Sequence, residues 1–172
     1  MTDLDRIEDL RRRVQQDPAS IAFAQLAEEF RRTGHHQEAV DTCRAGLALH
    51  PEYVSARVTL GRALLALGRL GEAVAELRLV LVTAPENLAA TRCLADALRQ
   101  QGRPAEALPH YVTALALAPN DPDLERSIAE TREALAAAPA PGAAPYARDR
   151  ATISALERWL EAIHAARTVR PA

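Results

Sequence analysis

Lysine is missing from this chain: all 21 basic residues among its 172 are arginine. Arginine favours two-pronged pairing with carboxylates, but so complete an absence of lysine reads as genome base composition. Aromatic residues make up only 3% of the chain, while alanine and leucine dominate. That profile suits closely packed helices and argues against a β-sandwich or barrel. The two cysteines, Cys43 and Cys93, offer no basis for a disulfide framework. No run approaches the roughly 18 apolar residues of a membrane span, so direct membrane insertion is not expected. The opening MTDLDRIEDL is charged within three residues and lacks the apolar stretch of an export signal. Together these features suggest a reducing, cytoplasmic setting. A formal net charge of −2 gives no general attraction to nucleic acid.

Catalytic signatures are missing too. There is no glycine-rich phosphate loop, nucleophile elbow, HExxH or paired CxxC. Cys93 and His110 could be paired on paper, but nothing in their surroundings marks either as activated. His35 and His36 are adjacent and project in different directions, unlike the i, i+4 pair that converges on zinc. The expectation is therefore no enzyme activity, no cofactor and no metal.

What the chain does have is a period. Gly34, Gly68 and Gly102 are 34 residues apart, and so are Pro51, Pro85 and Pro119. A repeat of that length is the mark of a helical solenoid. The clearest unit runs from Val54 to Pro85 and reads as two short amphipathic helices joined at Gly68. Leu26, Leu60 and Leu94 share one column, followed by Ala27, Gly61 and Ala95, then by Phe30, Leu64 and Leu98. Large, small and large on one face lets a second helix lie close against the small residue. Each second helix opens with Glu38-Ala39, Glu72-Ala73 or Glu106-Ala107, placing a carboxylate at the positive end of the dipole. Cys43, Leu77 and Tyr111 follow four residues after each alanine and should face the core.

These columns resemble the tetratricopeptide repeat family over Ser20 to Pro119, in three full repeats. The resemblance implies an all-α, right-handed α-solenoid of helix-turn-helix repeats with capping helices. Two departures stand out: a usually bulky column holds Phe23, Arg57 and Thr91, and Gly46 stands where alanine is usual. Both are expected to weaken local packing.

The organisation read from this is an N-terminal helix at 1–18, then three repeats plus a cap at 19–138. A Pro/Ala linker follows at 139–149, with a C-terminal amphipathic helix at 150–172. In the cap, Leu124, Ile128 and Leu135 should point inward, with Asp121 capping and Pro122 in the first helical position. The tail helix carries Leu156, Trp159, Leu160 and Ile163 on one face, with the only tryptophan of the chain.

In the resembled family the first helices line a concave groove that receives partner segments. Carried over by position, that groove should present Gln25, Glu28 and Arg32, then Thr59 and Arg62, then Arg92, Asp96 and Arg99. Members that grip a chaperone's C-terminal carboxylates use lysine, asparagine, asparagine, lysine and arginine. Those columns here hold Ala24, Glu28, Thr59, Ala89 and Cys93, so that clamp is missing. The expected role is a non-catalytic scaffold or adaptor that binds a partner peptide or helix, with an acidic or amphipathic segment suiting Arg62, Arg92 and Arg99. The tail helix would be a second docking or autoregulatory element. The alternative is a self-associating module, a homo-oligomer held through that helix.

Overall fold

The first helices of the repeats are α2 (Ala22–Arg32), α4 (Val54–Ala66) and α6 (Leu88–Gln100); the second are α3 (His36–Leu49), α5 (Leu70–Thr83) and α7 (Pro104–Leu117). Helix α1 (Asp3–Gln16) precedes them and α8 (Pro122–Ala137) follows. The structure, a computed structural model, describes residues 3–137, 153–154 and 158–159. No strand occurs among the described residues. The chain divides into two units, residues 1–135 and 136–172. In the second, Ile153, Ser154, Arg158 and Trp159 are helical. The 139–149 linker and Leu156, Leu160 and Ile163 lie outside the described residues.

Each repeat turns in the same way. Gly34, Gly68 and Gly102 have φ of 82°, 71° and 74°, a left-handed conformation that costs a glycine nothing. At each, the glycine N–H bonds back three residues and the next N–H five: His35 to Phe30, Arg69 to Leu64 and Arg103 to Leu98, at 2.8–3.0 Å. This Schellman arrangement satisfies carbonyls that a helix end would otherwise leave bare. At the other turn, the Asn87 side chain caps α6 through Ala90 N–H at 2.9 Å. One repeat later, Asp121 accepts from the N–H groups of Asp123 and Leu124, and Pro122 opens α8.

The core follows the columns. Leu60, Leu64, Leu77, Leu94, Leu98 and Tyr111 are fully buried or nearly so, as are Ala39, Ala73 and Ala107. The two departures prove to be one fit in the first repeat. A Cβ on Gly46 would stand 2.0 Å from Cδ2 of Phe23, so the missing side chain is the space the ring fills. Phe23 stacks on His50 with centroids 5.9 Å apart. Its counterparts solve the position differently: Arg57 pairs with Glu76 at 2.7 Å, and buried Thr91 donates to Asn87 O at 3.0 Å. Each repeat therefore fills that column with a different contact.

The end helices follow the same columns. Pro18 precedes Pro51 by 33, and at that spacing Ile7, Leu10 and Val14 match Val40, Cys43 and Leu47. Helix α1 thus matches the second helix of a repeat, and Ile7 and Leu10 are its buried residues. Helix α8 takes the place of a first helix, 34 residues after α6. Leu124, Ile128 and Thr131 are buried, while Glu125, Ala129 and Arg132, where a second helix would lie, are exposed.

Candidate functional site: the inner groove

Packing of α2 on α4 and of α4 on α6 puts the first helices side by side, and their outward faces form one surface. Across it Arg31, Arg62 and Arg92, from three helices, all act electrostatically on the half-buried Cys93.

At the N-terminal end, Glu28 takes both prongs of Arg31 at 2.9 and 2.6 Å and a hydrogen bond from Thr59 at 3.1 Å. The Arg31 hydrogen bond, against opposing desolvation, holds the Glu28 carboxyl below the usual carboxylate range. Arg62 reaches the same carboxylate at 3.7 Å. Gln25, Glu28, Ser55, Thr59 and Tyr53 line a pocket of about 300 Å³ here. At the other end Arg92 lies 3.3 Å from Asp121 and 3.8 Å from Asp123, and Arg99 lies 3.5 Å from Glu130. Beneath them the Tyr111 hydroxyl donates to Asp96 at 2.6 Å and accepts from Arg99 Nε at 3.1 Å. Burial, with Asp96 adding, pushes the Tyr111 phenol up to about 12.

Most of the residues anticipated for the groove stand on this surface, with two differences. Thr59 is buried and serves Glu28. Arg32 turns towards α1, pairing with Asp3 and with Glu29. The member of that column is Arg31, 34 residues before Leu65 and 68 before Arg99.

The other chemistry considered from sequence finds little support. Burial raises the Cys93 thiol and lowers the His110 imidazole, moving both away from the charged forms a nucleophile pair needs. Burial pushes the Cys43 thiol up to about 12. His35 bonds Thr33 Oγ1 at 2.9 Å and His50 bonds Ala19 O at 2.6 Å, both local structural roles. No cluster suited to a metal occurs among the described residues. Nor is any described helix long and apolar enough to cross a membrane.

Stacked helix pairs on a period of 34 define a helical-repeat protein. The chain belongs to the tetratricopeptide repeat family: two tetratricopeptide repeat profiles match, over residues 30–97 and 89–121. No curated protein matches the sequence. Among solved structures, MamA 41-end from Desulfovibrio magneticus RS-1 aligns with a TM-score of 0.71 at 16% identity, covering 98% of this chain and 88% of that one. The first TPR of Spaghetti (RPAP3), bound to HSP90 peptide SRMEEVD, aligns at 0.66 and 18% identity, covering 69% and 94%. TTC0263, a thermophilic TPR protein in Thermus thermophilus, aligns at 0.61 and 24%, covering 73% and 70%. At such identities the likeness establishes the fold.

Proposed function

We propose that this chain is a non-catalytic, cytoplasmic adaptor that binds an acidic or amphipathic partner segment in its inner groove. The observation carrying this reading is how loosely three groove arginines are held. Arg62, Arg92 and Arg99 sit 3.3 to 3.8 Å from their carboxylates. Arg31 and Arg103 hold theirs at 2.6 Å. Long pairings at half-exposed side chains leave guanidinium donors that a partner's carboxylates can take up. The HSP90 peptide of the Spaghetti structure is not carried over, because Ala24, Glu28, Thr59, Ala89 and Cys93 occupy the clamp columns.

The test is titration with a fluorescent glutamate- and leucine-rich peptide, beside a glutamine-substituted control. Exposed pairs contribute about 0–1 kcal/mol each, so a single Arg→Gln change should weaken binding less than about fivefold. The triple change R62Q/R92Q/R99Q should weaken it at least about tenfold. A triple variant that stays folded and binds the acidic peptide normally would refute the reading.

The tail helix is proposed as a second docking or autoregulatory element, on the strength of the apolar face around Trp159 in the sequence. Deleting residues 151–172 should leave the melting temperature of the repeats nearly unchanged while altering partner binding or, by light scattering, oligomeric state. A large fall in melting temperature would instead make the tail a permanent part of the fold.

A further inference from the structure

The second helices are tied to one another by a ladder of ion pairs that fails at one rung. Arg44 of α3 meets Glu72 of α5 at 2.5 Å, and Arg78 of α5 faces Glu106 of α7 at 3.8 Å. The same two glutamates also hold a neighbour in their own turn, Arg69 for Glu72 and Arg103 for Glu106. The equivalent glutamate of the first repeat is Glu38, and it has neither partner. The residue three before it is His35, engaged with Thr33. The arginine one helix back is Arg11, whose guanidinium lies 5.1 Å above the Phe30 ring.

Where the rung is missing, a cleft opens between α1 and α3. It has two adjoining lobes of about 350 and 380 Å³, within the range of ligand sites. Val14, Pro18, Phe23, Leu26 and Leu49 supply an apolar floor and wall. Exposed Ala45 keeps it open, for the next repeat has the larger Leu79 at that position. Exposed Glu38 and Asp41 stand on the rim together with Arg11, whose guanidinium is turned over the Phe30 ring and leaves the two carboxylates in excess. Asp41 accepts a neutral hydrogen bond from Gln37 at 3.0 Å.

We infer that this cleft is a docking site, separate from the inner groove, for a partner segment presenting a leucine-sized or aromatic side chain beside a basic one. The apolar group covers Ala45, where the next repeat carries its own Leu79. The cation takes the place beside Glu38 that Arg44 and Arg69 take beside Glu72. Opposite rim charge sets this partner apart from the acidic segment proposed for the groove, so the two sites do not compete.

The full chain, with methyl groups isotope-labelled, can be titrated with phenethylamine as the probe and with phenylpropionate as its acidic counterpart. The amine should shift the methyl resonances of Val14, Leu26 and Leu49, and the acid should leave them in place. Ala45→Leu, a surface change copied from the following repeat, should abolish the shifts without altering the melting temperature. Glu38→Gln should weaken them about threefold, as loss of one rim charge implies. The inference is overturned if amine and acid shift these methyls alike, if Ala45→Leu binds as the parent does, or if the shifts fall on Val58 and Leu65 of the groove. Shifts that follow protein concentration without probe would make a second copy the occupant and also overturn it. None of these outcomes depends on whether Arg62, Arg92 and Arg99 bind an acidic peptide.

Discussion

Gly46→Ala is expected to destabilise the repeats by about 1–2 kcal/mol, although it replaces a poor helix former with the best one. By propensity alone the change should add about 1 kcal/mol. Against this, the new methyl would lie 2.0 to 2.3 Å from three ring atoms of Phe23. That ring is 1% exposed and packs against both His50 and Tyr53, so moving it breaks those contacts. Overpacking of a closed core costs about 1–3 kcal/mol, more when the obstacle is rigid, so the clash outweighs the helix gain. In a Phe23→Leu background the ring is gone and Gly46→Ala should become nearly neutral. A double-mutant cycle in chemical denaturation measures the coupling. Equal effects of Gly46→Ala in the two backgrounds would show that the ring and the glycine are not matched.

The largest loss is expected at Tyr111, the bulkiest of the fully buried side chains. Tyr111→Ala empties the space between α6 and α7 and should cost about 3–5 kcal/mol, enough to unfold the last repeat. Tyr111→Phe keeps the ring and removes only the hydroxyl. Its expected cost is about 1–2 kcal/mol, because half-exposed Asp96 loses a 2.6 Å donor but can turn to water. The same variant should weaken acidic-peptide binding modestly by releasing Arg99, which the hydroxyl steadies at 3.1 Å. If Tyr111→Phe melts with the parent and binds as tightly, the hydroxyl positions nothing. Circular dichroism melts beside the peptide titration decide both points.

Much of the architecture could be read from the chain because a period of 34 places the same demand on three residues at once. Leu26, Leu60 and Leu94 could each be explained alone, but together they define a helix face. The match of α1 to a second helix was harder to see because its spacing is 33, which puts Pro18 and Ile7 out of step with the glycine ruler. Phe23 and Gly46 lie 23 residues apart and look like two separate faults until the helix pairing sets one against the other. In the groove, Arg31 and Arg32 are identical in kind and differ only by the turn of a helix, roughly 100° per residue. That turn sends one to Glu28 and the other to Asp3. The ion-pair ladder and its missing rung depend on where Arg11 directs its guanidinium, which sequence spacing does not encode.

The exposed faces of α1 and α8 bear on whether the array could be lengthened. Joining residues 3–137 of two copies in tandem would bring α8 of one against α1 of the next as the first and second helices of a new repeat. Their meeting faces are unsuited to it: α8 offers Glu125 and Arg132 where its counterparts carry Phe23 and Phe30. Helix α1 offers Arg6 and Arg13 where α3 carries Ala39 and Gly46, and both are engaged already, with Glu29 and Asp9. Closing that joint would bury four charges in a space shaped for methyl groups and rings. The fusion would therefore behave as two beads on a string, and a continuous superhelix would require those four positions to be rewritten first.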